Sequence, residues 1–219
     1  AAINQDIDRL RLAATSALMS RSDVIIVASV SCIYGLGSPD LYSQMAVVLE
    51  KGMALERTGI LRRLTENHYQ RNEIEFSRGK YRVRGDAIEV FPAYDQTAIR
   101  IELDFDTISG LQEINPLTGE IINEMDRVAI FPAKHYVMPE NNLERALAGI
   151  REELELRLAL FREQGRLLEA QRLEMRTRYD LEMIEEVGYC SGIENYSRHL
   201  DGRVPGTRPF NLMDFFQKD

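Results

Sequence analysis

The sequence predicts a multidomain chain of mixed α/β and α+β class, and three observations carry that expectation. A continuous β-branched run, Val24-Ile25-Ile26-Val27-Ala28-Ser29-Val30, follows a helical pattern, as in half of a βαβ unit of a parallel sheet. Between residues 71 and 131, short stretches alternate apolar with polar residues, the period of half-buried strands. From Leu143 to Val187 the apolar spacing changes to fours and threes, the period of two long helices broken at Gly165. The expected organisation is a parallel-sheet element over 1–38, an inserted antiparallel α+β domain over 39–137, a long helical hairpin domain over 138–212, and a return to the first domain over 213–219.

Residues 6–20 read as a helix with Ile7, Leu10, Leu12, Ala14, Leu18 and Met19 on its apolar face. The buried strand 24–30 then runs into SVSCIYGLGSP. Ligands gather at the carboxyl ends of strands in open α/β sheets, so Ser29, Ser31 and Tyr34 are site candidates. The alternative is a Gly-flanked loop that only turns the chain. Ser38 and Pro39 cap and open a helix over 40–51 that Gly52 stops, and a second helix spans 57–69.

In the strand region, Phe76, Tyr81, Val83, Ile88, Val90, Ile99 and Ile101 are the core positions, with tight turns at Arg78-Gly79-Lys80 and Gly85-Asp86. Strands at 107–114, 120–122 and 128–131 complete the sheet around an Asn115-Pro116-Leu117-Thr118-Gly119 turn. The hairpin buries Leu143, Leu147, Ile150, Leu154 and Leu158 on one helix, and Leu173, Met175, Met183 and Ile184 on the other. Glu and Arg alternate along its outer faces, which suits solvated pairs on a scaffold.

Two groups of residues stand out chemically. Arg82, Arg84, Arg100 and Glu102 alternate with the core positions and should face water, with Arg71 just before the first strand. So dense a charged face is either a recognition surface or a device that keeps the sheet soluble and its edges unpaired. The stretch 188–206 combines Tyr189, Tyr196, Arg198 and Arg203, ring faces for stacking and cations for phosphates. Its plainer reading is a packed connector with buried rings and bonded hydroxyls. His199 has no Ser–His–carboxylate or metal-ligand spacing around it, so no catalytic residue and no metal ligand is assigned. A self-sufficient enzyme centred on Ser29–Tyr34 or Tyr189–His199 would lack a paired nucleophile and base.

Composition narrows the classes. The 219 residues carry a formal net charge of -8, so DNA cannot be held mainly by neutralising phosphates. No apolar run approaches the roughly 20 residues that span a bilayer, so no membrane partner is expected. Nothing at the start reads as a signal peptide, and Cys32 and Cys190 lie far apart, which fits free thiols in a reducing cytoplasm. No G-x-x-x-x-G-K-[ST] phosphate loop occurs in the sequence. Ala1 is not an initiator Met, and Phe210 to Asp219 ends without an obvious cap where an apolar strand could follow, so an excised fragment is expected.

GYCSGIENYSRHLDGRVPG resembles the corresponding segment of the UvrB family, the damage-verifying helicase-like subunits of bacterial nucleotide excision repair. VASVSCIYGLGSPDLY, RVRGDAIEVFPA, NPLTGEI, FPAKHYV and LEAQRLEMRTRYDLEM resemble the same family in the same order, over essentially the whole chain. The resemblance implies that 1–38 is part of a RecA-like helicase motor, here with only the returning end of a DNA-threading hairpin near Ala1 to Asn4. It implies a parent that uses ATP and Mg through motifs this segment lacks, so the segment alone is expected to be inactive. It also implies docking to UvrA through Arg71, Arg82, Arg84, Arg100 and Glu102, contact with damaged DNA beside the helical domain, and hand-over to UvrC by the parent. The loop leading to Arg100 reads one residue shorter than is common in the family. The competing assignments are the related module of a transcription-repair coupling factor and a scaffold without activity.

Overall fold

A computed structural model describes residues 5–137 and 140–216. Ala1 to Asn4, and the final part of the expected return to the motor, lie outside the described residues.

The first helix, α1 (Gln5–Ser20), forms where expected, but its buried face is different. Leu12, Thr15, Ser16 and Leu18 are buried, whereas Ile7 and Leu10 are exposed. The Thr15 and Ser16 hydroxyls turn back onto the helix, both donating to the Leu12 carbonyl, which lets polar residues sit in the core. The β-branched run 24–30 forms no strand, and Val30 instead opens a 3-10 turn over Val30–Ile33. Val24 and Ile26 rest against the α1 cluster, while Ile25 and Val27 are 92% and 96% exposed. Its composition favours an extended chain, but a strand needs ladder partners, and none pairs with it among the described residues.

Ser38 caps α2 (Pro39–Met45) as expected, its hydroxyl accepting from the Leu41 amide. The helix stops six residues early. Val47–Glu50 is instead strand β1, because a nonlocal partner, β8 (Arg127–Ile130), ladders with it in antiparallel register. Val47-Val48-Leu49 suits that pleated ribbon better than a helix. Helix α3 (Arg57–Glu66) is three residues shorter than the expected span and buries Ile60 and Leu64.

The sheet proper has six strands in sequence order: β2 (Gln70–Arg71), β3 (Lys80–Arg84), β4 (Ala87–Phe91), β5 (Ala98–Asp104), β6 (Thr107–Ile114) and β7 (Ile121–Glu124). All neighbours are antiparallel except the short β2–β3 pair. The expected last strand thus leaves the sheet to pair with β1. The expected strand around Phe76 is a loop. Gly85, at φ 59, makes the two-residue β3–β4 turn. The Asn115 side chain accepts from the Leu117 and Thr118 amides to shape the β6–β7 turn.

One face of the sheet is the core. Tyr81, Ile88, Val90, Ile99, Ile101 and Leu111 meet Ile60 and Leu64 of α3 and Val47, Leu49 and Ile130 of the β1–β8 ribbon. Ile88 and Ile101 are fully buried, each worth about 1.5–3 kcal/mol against exposure.

The helical hairpin is α4 (Glu140–Glu163) and α5 (Leu167–Val187), turned by Gly165 at φ 71. Leu147, Ile150, Leu154 and Leu158 are buried as spaced. On α5 the buried line is Ala170, Thr177, Asp180, Leu181 and Ile184, and Met175 is 67% exposed. Met175 lies off the line that Ile184 and Leu181 define, so apolar character alone misplaced it. Beyond Gly188, a 3-10 turn (Ile193–Tyr196) and α6 (Ser197–Leu200) close the base of the hairpin.

Candidate interaction site

The sheet's second face carries the charges, and strand register sorts them into rows. Arg82, Glu89, Arg100, Gln112 and Glu124 stand side by side across β3 to β7. Arg84, Ala87, Glu102 and Gly110 form the next row. Four of the five predicted docking residues therefore share one face, and Arg71 lies on the edge strand β2.

They do not all face water. Arg82 and Glu89 are buried, their side chains 10% and 2% exposed, and Arg100 is 23% exposed. Both arginines grip Glu89: Arg82 at 2.6 Å and Arg100 at 2.8 Å. The cover comes from the 72–79 loop, which folds back over this face. Phe76 packs on Phe91 with ring centroids 5.7 Å apart, and the Arg82 guanidinium lies 4.0 Å from the Phe76 ring centre. Burial pushes the Glu89 carboxyl up, but hydrogen bonds from Arg100 and Arg82 outweigh it and hold the group below the usual carboxylate range.

Arg84 is exposed and makes no ion pair among the described residues. Glu102 lies over Gly110, where an added Cβ would come within 2.8 Å of its Oε2. Arg71 pairs with Glu73 at 2.8 Å, and Glu73 also accepts from the Val83 amide. The outward charges are thus Arg71, Arg84, Glu102 and the open side of Arg100. Glu89 escaped the sequence reading, although a signal for it existed. A two-residue turn at Gly85-Asp86 fixes the register and places Glu89 opposite Arg82.

The 188–206 candidates divide between two places. Tyr189 lies 3.9 Å beneath the Lys134 ammonium and shares a cavity of about 620 Å³ with Tyr34, Tyr136, Arg11 and Glu194. Arg11 also donates to the Tyr34 carbonyl at 2.6 Å. Tyr196 lines a groove of about 690 Å³ along the hairpin, and its hydroxyl donates to Asp180 at 2.7 Å. Arg198 and His199 both meet Glu153. Arg203 is held by Asp201, by the Ser197 hydroxyl and by the Thr207 carbonyl. These partners fit the packed-connector alternative for Tyr196, Arg198 and Arg203.

Ser29 lies 3.3 Å from the Cys32 sulfur, and the side chain of Ser31 is outside the described set. His135 faces the Thr15 hydroxyl at 3.2 Å, but burial depresses the ring to about 3, so it is a neutral core group. His199 is set against a carboxylate and a guanidinium rather than a nucleophile. No helix among the described residues is long and apolar enough to cross a membrane.

Comparison with known proteins agrees with this layout. Residues 47–136, which contain the whole sheet, match the family model of the UvrB interaction domain. Residues 141–202 match that of the UvrB third helical domain. The chain belongs to the UvrB family. It is 57% identical over 220 residues to UvrABC system protein B of Geobacillus kaustophilus and 58% identical over 219 residues to that of Carboxydothermus hydrogenoformans. To the Mycobacterium tuberculosis protein it is 54% identical over 217 residues. These alignments take in 99–100% of this chain, which spans about a third of the length of those relatives. Within the UvrB family, then, the charged face belongs to the interaction domain and the two-helix hairpin to the third helical domain.

Proposed function

We propose that the sheet face is a docking surface for UvrA, presented through Arg71, Arg84, Arg100 and Glu102 and supported by Arg82. The observation that carries this reading is the gathering of Arg82, Arg84, Arg100 and Glu102 on one face of an interaction domain, with Arg71 on its edge strand and the opposite face spent on the core. Arginine offers a planar fork for carboxylates, and Glu102 offers an acceptor for a partner's Lys or Arg. Charges at such a face steer encounter and fix orientation more than they add affinity. The test is titration of UvrA into the intact protein at rising salt, with wild type and an Arg84→Ala, Glu102→Ala variant. Docking should weaken with salt, because exposed pairs are screened, and should weaken further in the variant. Binding that ignores both salt and the substitutions overturns the reading.

A second reading rests on the cavity that unites Tyr34, Tyr136 and Tyr189 with Lys134 and Arg11, the two cations standing beside the carboxylates of Asp8 and Glu194. Rings and cations in one hollow suit a base and its phosphate. Damaged DNA would meet the chain there, with Tyr196, Arg198 and Arg203 as weaker contacts because each already has a partner inside the fold. Tyr189→Ala should lower crosslinking of lesion-containing DNA to this segment, and unchanged crosslinking counts against it.

In a longer cytoplasmic parent, these two surfaces would serve nucleotide excision repair. ATP and Mg would be used by motor residues outside this sequence, and the opened DNA would pass to UvrC. The exposed Ile25 and Val27 fit a motor strand whose sheet neighbours come from elsewhere in that parent.

A further inference from the structure

Glu89 is the one carboxylate of its row that touches two docking candidates, and it uses both oxygens to do so. Oε2 accepts a hydrogen bond from Arg82 Nε at 2.6 Å and lies 2.6 Å from Nη2 in the same ion pair. Oε1 accepts from Arg100, at 2.9 Å from Nε and 2.8 Å from Nη2. Each guanidinium therefore turns its Nε–Nη2 edge toward Glu89, which leaves the Nη1 hydrogens and the second Nη2 hydrogen for anything else. The two arginines differ in what remains. Arg82 is roofed by Phe76 and almost closed off. Arg100 is more open, and its Nη2 is also anchored to the Gly119 carbonyl at 3.3 Å.

Resting on the docking reading above, we infer that Glu89 is a positioning residue that holds Arg100 oriented toward an acidic group on the partner, while Arg82 supports this clamp without touching the partner. A free arginine must give up its rotamer freedom when a partner captures it. One already clamped loses little, so the same contact binds more tightly. The triad of two guanidiniums and one carboxylate presents a single net positive charge at a fixed place. With Arg84 and Glu102 in the next row, the matching surface carries carboxylates opposite Arg100 and Arg84 and a cation opposite Glu102.

Charge and position make opposite predictions, which gives a clean test. Glu89→Gln adds one positive charge to the face. Charge complementarity alone then predicts faster association and tighter binding to an acidic partner. Loss of the clamp predicts weaker binding through faster dissociation, by about tenfold. The experiment is surface plasmon resonance of the intact protein against purified UvrA, with circular dichroism to check folding. The expected set is a tenfold loss for Glu89→Gln and for Arg100→Gln, and a loss within about threefold for Arg82→Gln, which leaves Glu89 paired with Arg100. Wild-type or tighter binding by folded Glu89→Gln overturns the inference. If Glu89→Gln does not fold, the other two variants decide, and an equal loss for Arg82→Gln and Arg100→Gln overturns it. Arg84→Glu and Arg100→Gln both binding like wild type would instead remove the docking reading itself, together with the inference built on it.

Discussion

The sheet and the helical hairpin use the same two residue types, Arg and Glu, in opposite ways. On the hairpin the pairs lie in solvent: Arg151 with Glu185, and Arg178 with Glu155 and Glu174, with four of these five groups half exposed or more. In the sheet, Arg82, Glu89 and Arg100 are packed into one row beneath an aromatic loop. Solvated pairs are interchangeable and worth little, because water screens them and holding two long side chains costs entropy. A buried row has already lost its water, so each member depends on the others. Composition is therefore silent on role. Cover and register decide which arginines solubilise the chain and which hold a shape.

Substitutions should widen this contrast. Glu89→Ala strands two guanidiniums, one of them buried, and should cost about 3–5 kcal/mol in urea unfolding of the sheet. In the hairpin the large loss should come from packing instead. Leu158→Ala, at a fully buried position, should cost about 2–5 kcal/mol. Acid provides an intermediate effect near α1. The native His135 ring is depressed to about 3 by burial and by Arg11, whereas the unfolded ring titrates near 6.5. The unfolded state then binds the extra proton first. Stability should be complete above about pH 6.5 and fall toward pH 3 by up to about 1.4 kcal/mol per unit. Hydrogen exchange of the α1 amides should report that slope, and His135→Gln should flatten it. The smallest effect belongs to the solvated pairs, where Arg178→Ala should change hairpin stability by less than about 1 kcal/mol.

Legibility followed the locality of the information. The hairpin was readable because the line from Leu147 to Leu158 is written within one helix. The antiparallel core positions were readable because alternation and the Gly85 turn are local too. What failed was nonlocal. Val47–Glu50 looked helical until β8, some eighty residues later, supplied a ladder. The run 24–30 looked like a buried strand, but burial is conferred by neighbours, and Ile25 and Val27 stay 92% and 96% exposed. The charged face was half legible. Alternation put Arg82, Arg84, Arg100 and Glu102 on one side, yet could not show that Phe76 folds over that side and closes Arg82 off. The charged face itself was readable from the alternation, whereas the burial of Arg82 and the pairing of both arginines with Glu89 needed the tertiary cover.

The most direct test compares charge reversals of two arginines, one from each region. Arg84 on the sheet and Arg178 on the hairpin are both exposed. Calorimetric titration of UvrA into the intact protein should show Arg84→Glu weakening the complex about thirtyfold, the cost of like charges meeting at an interface. Arg178→Glu should leave it unchanged. Equal affinities for the two variants would contradict the account, because the sheet face would then be no more than another solvated surface.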